Sequence, residues 1–189
     1  MKSLYILILL MISSTCMVFS QDTVASHSIP KSHSVELKIG AGKLQTQLLA
    51  VDFNYQHNLT KHFSLVSFSQ VDFSAWDRNP DKNYLVTNYF FFVQTFGIGA
   101  NVGTRRLNTG LSMLAGGRYY HSTAMVNEIH ESVMNTNKIM PELGLLYNLK
   151  IGKKKYYFST QVYLPLTPFS AASIEKNMTL SLGFGCKIK

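Results

Sequence analysis

Charge is the first scarcity. Asp, Glu, Lys and Arg make up 15% of the 189 residues, where a soluble domain carries roughly a quarter. Cysteine is scarcer still, with 2 in the chain. Cys16 lies in an apolar opening segment. If that segment is removed, Cys186 stands alone and no intramolecular disulfide can form. Beyond the opening segment no run is long and apolar enough for a membrane-spanning helix. There is no glycine-rich phosphate loop, no pair of catalytic carboxylates and no His/Cys spacing that suits a metal. The formal net charge is +8, but the basic clusters Arg105-Arg106 and Lys153-Lys154-Lys155 fall in turn-like stretches and do not share one element. Solvated turn charges therefore explain the excess better than a nucleic-acid surface.

Against these absences stands an aromatic content of 12% and a slightly positive mean hydropathy of +0.05. The chain opens with Met1-Lys2, an apolar run from Leu4 to Ile12, then small and polar residues up to Ser20-Gln21. A charged start, a short apolar core and a small residue at the exit are the marks of a secretory signal peptide. Residues 1–20 are therefore expected to be removed. Residues 21–33 are polar and read as a flexible periplasmic lead-in, and residues 34–189 form the folded part.

From residue 34 onward the dominant period is two. Val35, Leu37, Ile39 and Ala41 alternate with Glu36, Lys38 and Gly40, and Leu49, Val51, Phe53 and Tyr55 alternate with Ala50, Asp52 and Asn54. The same alternation recurs around Phe96–Val102, Leu111–Tyr119, Leu143–Leu149, Tyr156–Leu164 and Leu180–Ile188. Side chains on a strand point alternately to its two faces, so each segment has one oily and one small, polar face. Three places break parity. Between Phe63 and Phe73, Ser67 and Ser69 share the apolar face while Val66 and Phe68 fall opposite, which a β-bulge would reconcile. Gln94 falls on an otherwise apolar face, and Leu146 on a polar one.

The segments make eight strands of about ten residues. Connections near 57–61, 103–108 and 150–155 are tight. Those at 74–83, 122–138 and 166–176 are long loops, and the first, around Gly42 to Gln47, is short. This rhythm is the signature of an antiparallel up-and-down transmembrane β-barrel. The polar face distinguishes it from a soluble barrel. Its residues are mostly Gly, Ser, Thr, Asn and Gln with isolated charges, suited to a narrow lumen rather than to water. Backbone groups in lipid must all be paired, so the sheet must close. The first strand, "SVELKIGA", is expected beside the last, "LSLGFGCKI".

With its signal peptide, eight-strand rhythm and alternating turn lengths, the chain resembles the small bacterial outer-membrane barrels of the OmpA transmembrane-domain and opacity-protein type. The resemblance covers nearly all of residues 34–189. It implies a Gram-negative outer membrane, chain ends in the periplasm, contact with outer-membrane lipid and lipopolysaccharide, and insertion by the barrel-assembly machinery. The chain departs from the type at its end, Lys187-Ile188-Lys189, where an aromatic residue is usual; Phe184 is the nearest aromatic of apolar parity.

Glu36, Lys38, Asp52, Arg118, Glu142 and Lys187 all fall on the polar face. Charges in a narrow interior need partners, so they are expected to form a network that closes the lumen. A narrow pore is the competing reading. Three further candidates lie toward the loops. His121, Ser122 and Glu128, in "YYHSTAMVNEIHES", hold residue types of a rim-located lipid A-modifying hydrolase, which would need the imidazole within reach of the hydroxyl. If the strand continues there, His121 and Ser122 point to opposite faces. Trp76, Asp77 and Arg78 suit either contact with an extracellular ligand or protein or a rim anchor. No cofactor or metal is implied. The expected role is structural, or extracellular interaction through the longer loops.

Overall fold

The computed structural model describes residues 32–42, 48–74, 84–104, 106–126, 133–152, 155–167 and 178–188. The strands are β1 (His33–Gly42), β2 (Leu48–Asn58), β3 (Phe63–Ser74), β4 (Tyr84–Gly103), β5 (Leu107–Val126), β6 (Val133–Ile151), β7 (Tyr156–Pro165) and β8 (Thr179–Ile188). Each pairs antiparallel with its neighbours in sequence, and β1 pairs with β8 to close the barrel. The closing seam sets Val35 against Cys186, Leu37 against Phe184, Ile39 against Leu182 and Ala41 against Leu180. These are the two segments whose pairing the alternation requires.

The end where β1 begins and β8 finishes, here the lower end, has tight turns. Between β2 and β3, Leu59 N–H donates to the Phe63 carbonyl at 2.9 Å, and Thr60 Oγ1 accepts from Phe63 N–H at 3.0 Å. Between β4 and β5, Thr104 N–H donates to the Leu107 carbonyl at 2.7 Å. Gly103 enters that turn at φ 151°, a conformation open to glycine at little cost.

The outer surface is the oily one. Leu182, Met113 and Phe184 expose 52%, 67% and 73% of their surface. Phe158 and Phe184 meet edge-on across the β7–β8 pair at 5.8 Å. The inner surface buries Glu36, Lys38, Asp52, Gln70, Thr95, Ser159 and Gln161. The molecule thus inverts the partition of a water-soluble domain.

Two expectations need correction. First, residues 122–138 are not a long loop. β5 continues to Val126 and β6 starts at Val133, so β4, β5 and β6 have 20, 20 and 19 residues rather than about ten. Second, β3 contains no bulge. It keeps one-to-one register with β2 from Asn58–Ser64 to Leu49–Phe73, and with β4 from Phe63–Ala100 to Ser74–Tyr89. Among the described pairings the shift in register falls on β4, between Val86 and Asn88.

The parity exceptions instead compensate one another. On the outer face Ser69 Oγ donates to Gln94 Oε1 at 2.5 Å and Gln94 Nε2 donates to Ser67 Oγ at 3.2 Å. Each polar group at this apolar surface thereby gains a partner, which offsets much of the cost of removing it from water. On the inner face Val66, Phe68, Val93, Leu114, Leu146 and Tyr163 form one buried cluster. Phe68 and Tyr163 stack with centroids 4.6 Å apart.

Candidate functional site

Among the described residues, two regions are candidates for a function: the filled lumen, and the upper edge where three strands outgrow the rest.

In the lower lumen the Glu36 carboxylate, 1% exposed, is the hub. Lys38 Nζ bonds its Oε2, and Lys150 Nζ reaches Oε1 at 2.5 Å. Asn148 Nδ2 donates at 2.8 Å, Tyr157 OH at 2.8 Å and Ser159 Oγ at 3.2 Å. Two lysines against one carboxylate leave an extra positive charge, and the structure carries it onward. Lys38 Nζ donates to Gln161 Oε1 at 2.7 Å, and Gln161 Nε2 donates to Asp52 Oδ2 at 2.5 Å. The formal charges of the chain Lys150–Glu36–Lys38–Gln161–Asp52 sum to zero, and it joins strands β1, β2, β6 and β7. Lys150 also donates to Gln56 Oε1 at 2.5 Å and lies 5.4 Å from the Tyr157 ring centroid.

In the upper lumen Arg118 Nη2 donates to Glu142 Oε1 at 2.7 Å, and Tyr163 OH donates to the same oxygen at 2.6 Å. Thr167 Oγ1 donates to Glu142 Oε2 at 3.0 Å. The apolar cluster around Phe68 lies alongside this pair through Tyr163, so the bore is occupied by both hydrogen-bonded and apolar side chains. Glycines make room for the two tyrosines. A Cβ at Gly144 would enter the Tyr163 ring and one at Gly185 the Tyr157 ring. Gly185→Val is therefore expected to destabilise the barrel by about 1–3 kcal/mol. A lower urea midpoint for the folded, fast-migrating gel band would show it, and an unchanged midpoint would contradict this packing.

Of the polar-face charges named from the sequence, Glu36, Lys38, Asp52, Arg118 and Glu142 are buried and come together in these two groups. Lys187 is exposed at the lower rim, with Nζ 5.9 Å from the Tyr157 ring centroid. Sequence reasoning missed Lys150 by assigning it to the turn. Its parity with Glu142 and Asn148 was the available signal. Tyr157, Tyr163, Asn148 and Gln161 also belong to the network and have that same parity.

At the upper end β6 outruns β7, whose last partner on β6 is Gly144, paired with Pro165. β4 outruns β3 beyond Tyr89, the partner of Ser74. At about 3.3 Å per residue, β6 from Val133 to Leu143 runs on the order of 35 Å past the β7 pairing. β5 is the paired centre of this raised three-stranded sheet. Tyr119 OH donates to Asn137 Oδ1 at 3.0 Å, and His121 Nδ1 lies 2.7 Å from the same oxygen. The Phe91 and Tyr120 rings meet tilted at 43° with centroids 5.0 Å apart.

His121 is thus engaged with an amide. The β5 backbone is continuous through His121 and Ser122. Glu128 and the trio Trp76, Asp77 and Arg78 lie outside the described residues, as do residues 1–31.

No protein-family profile matches the sequence, and no curated protein matches it. Solved structures do. Ail, the attachment invasion locus protein of Yersinia pestis, solved with the heparin analogue sucrose octasulfate, superposes with a TM-score of 0.56 at 13% identity, over 84% of this chain and 97% of that one. Neisserial surface protein A gives a TM-score of 0.53 at 6% identity, over 87% and 99%. The N-terminal β-barrel domain of Pseudomonas aeruginosa OprF gives 0.52 at 12% identity, over 86% and 100%. At such identities the likeness is one of fold: this chain has the architecture of the small, OmpA-type eight-stranded barrels.

Proposed function

We propose that the chain is a bacterial outer-membrane barrel with its lower end in the periplasm, a lumen closed to solutes, and a structural or binding role exercised through its upper edge. The observation that carries this reading is the pairing of an apolar exterior with an interior filled by neutralised charge. Hydrocarbon is the solvent that suits the first, and a network such as Glu36 with Lys38 and Lys150 is the arrangement that makes the second tolerable. Eight strands leave space that side chains can fill.

The binding surface on this reading is the raised sheet of β4, β5 and β6. Its outer strand, β6, presents Asn137, Lys138 and Ile139 to solvent. Leu143 still bonds Leu166 and Thr167, but among the described residues no strand pairs with the β6 edge from Val133 to Glu142 on the β7 side, which suits addition of a strand from a protein partner. The Ail barrel is seen with a sulfated sugar. Here the connectors β1–β2, β3–β4, β5–β6 and β7–β8, taken with Lys138, hold five basic and five acidic residues, a balance that favours a protein contact over a polyanion.

The test is direct. The mature chain should fractionate with outer membrane, resist carbonate extraction and migrate faster on a gel before boiling than after. In planar bilayers the refolded protein should show no discrete conductance steps. Steps that persist in single-channel records would replace the closed lumen with a pore.

A further inference from the structure

The chain's excess positive charge collects at one end. Of the 18 Lys and Arg residues, eight belong to the connectors β2–β3, β4–β5 and β6–β7 or to the last three positions of the chain, and none of the 10 Asp and Glu residues does. That excess equals the formal net charge of +8. Four of the eight are described and exposed: Lys61, Arg106 and Lys155, carried by three separate turns, and Lys187 at the end of β8, on the lumen-side parity near the Tyr157 ring. They therefore ring the lower rim rather than crowd one side of it.

Their height in the barrel is the second observation. Along β3, β5, β6 and β7 the apolar exterior ends just above them, at Phe63, Leu107, Ile151 and Tyr156, which expose 54%, 40%, 48% and 71% of their surface, while exposed Leu59 and Ile188 lie at the level of the bases themselves. Lys155 Nζ lies 5.8 Å from the centroid of the Tyr156 ring, a cation held at the lower limit of the oily belt. An aromatic at that level with a cation below it is an interfacial arrangement. Turn charges needed only for solubility would be expected to mix signs, and here one sign is missing.

We infer that this rim is a binding surface for the phosphates of anionic phospholipid headgroups in the leaflet at the lower end. The inference rests on the outer-membrane reading above. Each base near a membrane surface adds to the attraction for anionic lipid, and the belt above it fixes the rim at headgroup depth. The headgroups are engaged as a ring of phosphates that anchors the barrel at a set height and tilt.

Native mass spectrometry of the refolded chain released from mixed phosphatidylglycerol and phosphatidylcholine tests this. Retained lipid should be enriched in phosphatidylglycerol by on the order of tenfold. The combined substitution Lys61→Gln, Arg106→Gln, Lys155→Gln and Lys187→Gln should abolish most of that enrichment, while Lys138→Gln at the upper edge should leave it unchanged. Refolding of each variant is confirmed by heat-modifiable mobility, so loss of fold is not mistaken for loss of binding. Equal retention of the two lipids by the native chain overturns the inference, as does enrichment that survives the fourfold change. A chain that never inserts overturns the outer-membrane reading as well. One that inserts and retains both lipids equally overturns only this one.

Discussion

Replacing Glu36 with leucine is expected to destabilise the folded barrel by about 3–5 kcal/mol, one of the two largest effects expected of a single substitution here. The carboxylate is the shared partner of two buried lysines, Lys38 and Lys150. Removing it leaves two ammonium groups in the bore against the Asp52 carboxylate, which reaches Lys38 only through Gln161. Loss of one buried partner costs far more than the net contribution of the pair, because the remaining charges keep their desolvation penalty. A companion variant separates these effects. Glu36→Leu with Lys38→Met, Lys150→Leu and Asp52→Asn removes the charges together and should recover most of the loss. The measurement is a urea titration of the fast-migrating gel band after refolding into lipid vesicles. If Glu36→Leu alone shifts the midpoint by the equivalent of less than about 1 kcal/mol, the carboxylate is not the hub that its contacts describe.

The Glu36 network also shows what alternation can reveal and what it cannot. Parity along β1 placed Glu36 and Lys38 indoors, and parity along β8 placed Phe184 outdoors, because hydrocarbon and lumen impose opposite demands on successive residues. The closing pair β1–β8 followed from the need to satisfy every backbone group. Lys150 was lost at a boundary. The stretch Gly152-Lys153-Lys154-Lys155 just beyond it reads as turn, and a strand's last inward position carries no local mark of its own. The exceptions at Val66, Phe68, Ser67, Ser69 and Gln94 were visible but misjudged. A bulge is a one-strand remedy, whereas the structure uses two strands: hydroxyls of β3 bond the amide of β4 outside, and their apolar neighbours join Leu146 inside. Cross-strand compensation depends on register, which a single segment does not contain. The extension of β5 and β6 was hidden for a different reason. The sequence around Ser122-Thr123 and Asn135-Thr136 lacks the apolar–polar alternation that marks a strand elsewhere in the chain.

A residue's surroundings also govern the second large effect. Leu182→Arg should destabilise the membrane-inserted barrel by about 2–4 kcal/mol. Leu182 lies midway along β8, faces outward at 52% exposure and pairs with Ile39 on one side and Thr160 on the other. In water a charge at a half-exposed surface position would change stability by no more than about 0.5 kcal/mol. The excess is the cost of bringing a guanidinium to mid-depth hydrocarbon, even with its stem bent toward the interface. Ile139→Arg supplies the comparison. Ile139 is more exposed, at 83%, but belongs to the raised part of β6 above the β7 pairing. It should shift stability by no more than about 0.5 kcal/mol. Exposure alone ranks the two in the wrong order, and depth in the bilayer ranks them correctly. Urea titration of both variants in the same vesicles decides the matter, and equal small shifts would mean that the Leu and Phe rows of this barrel do not face lipid.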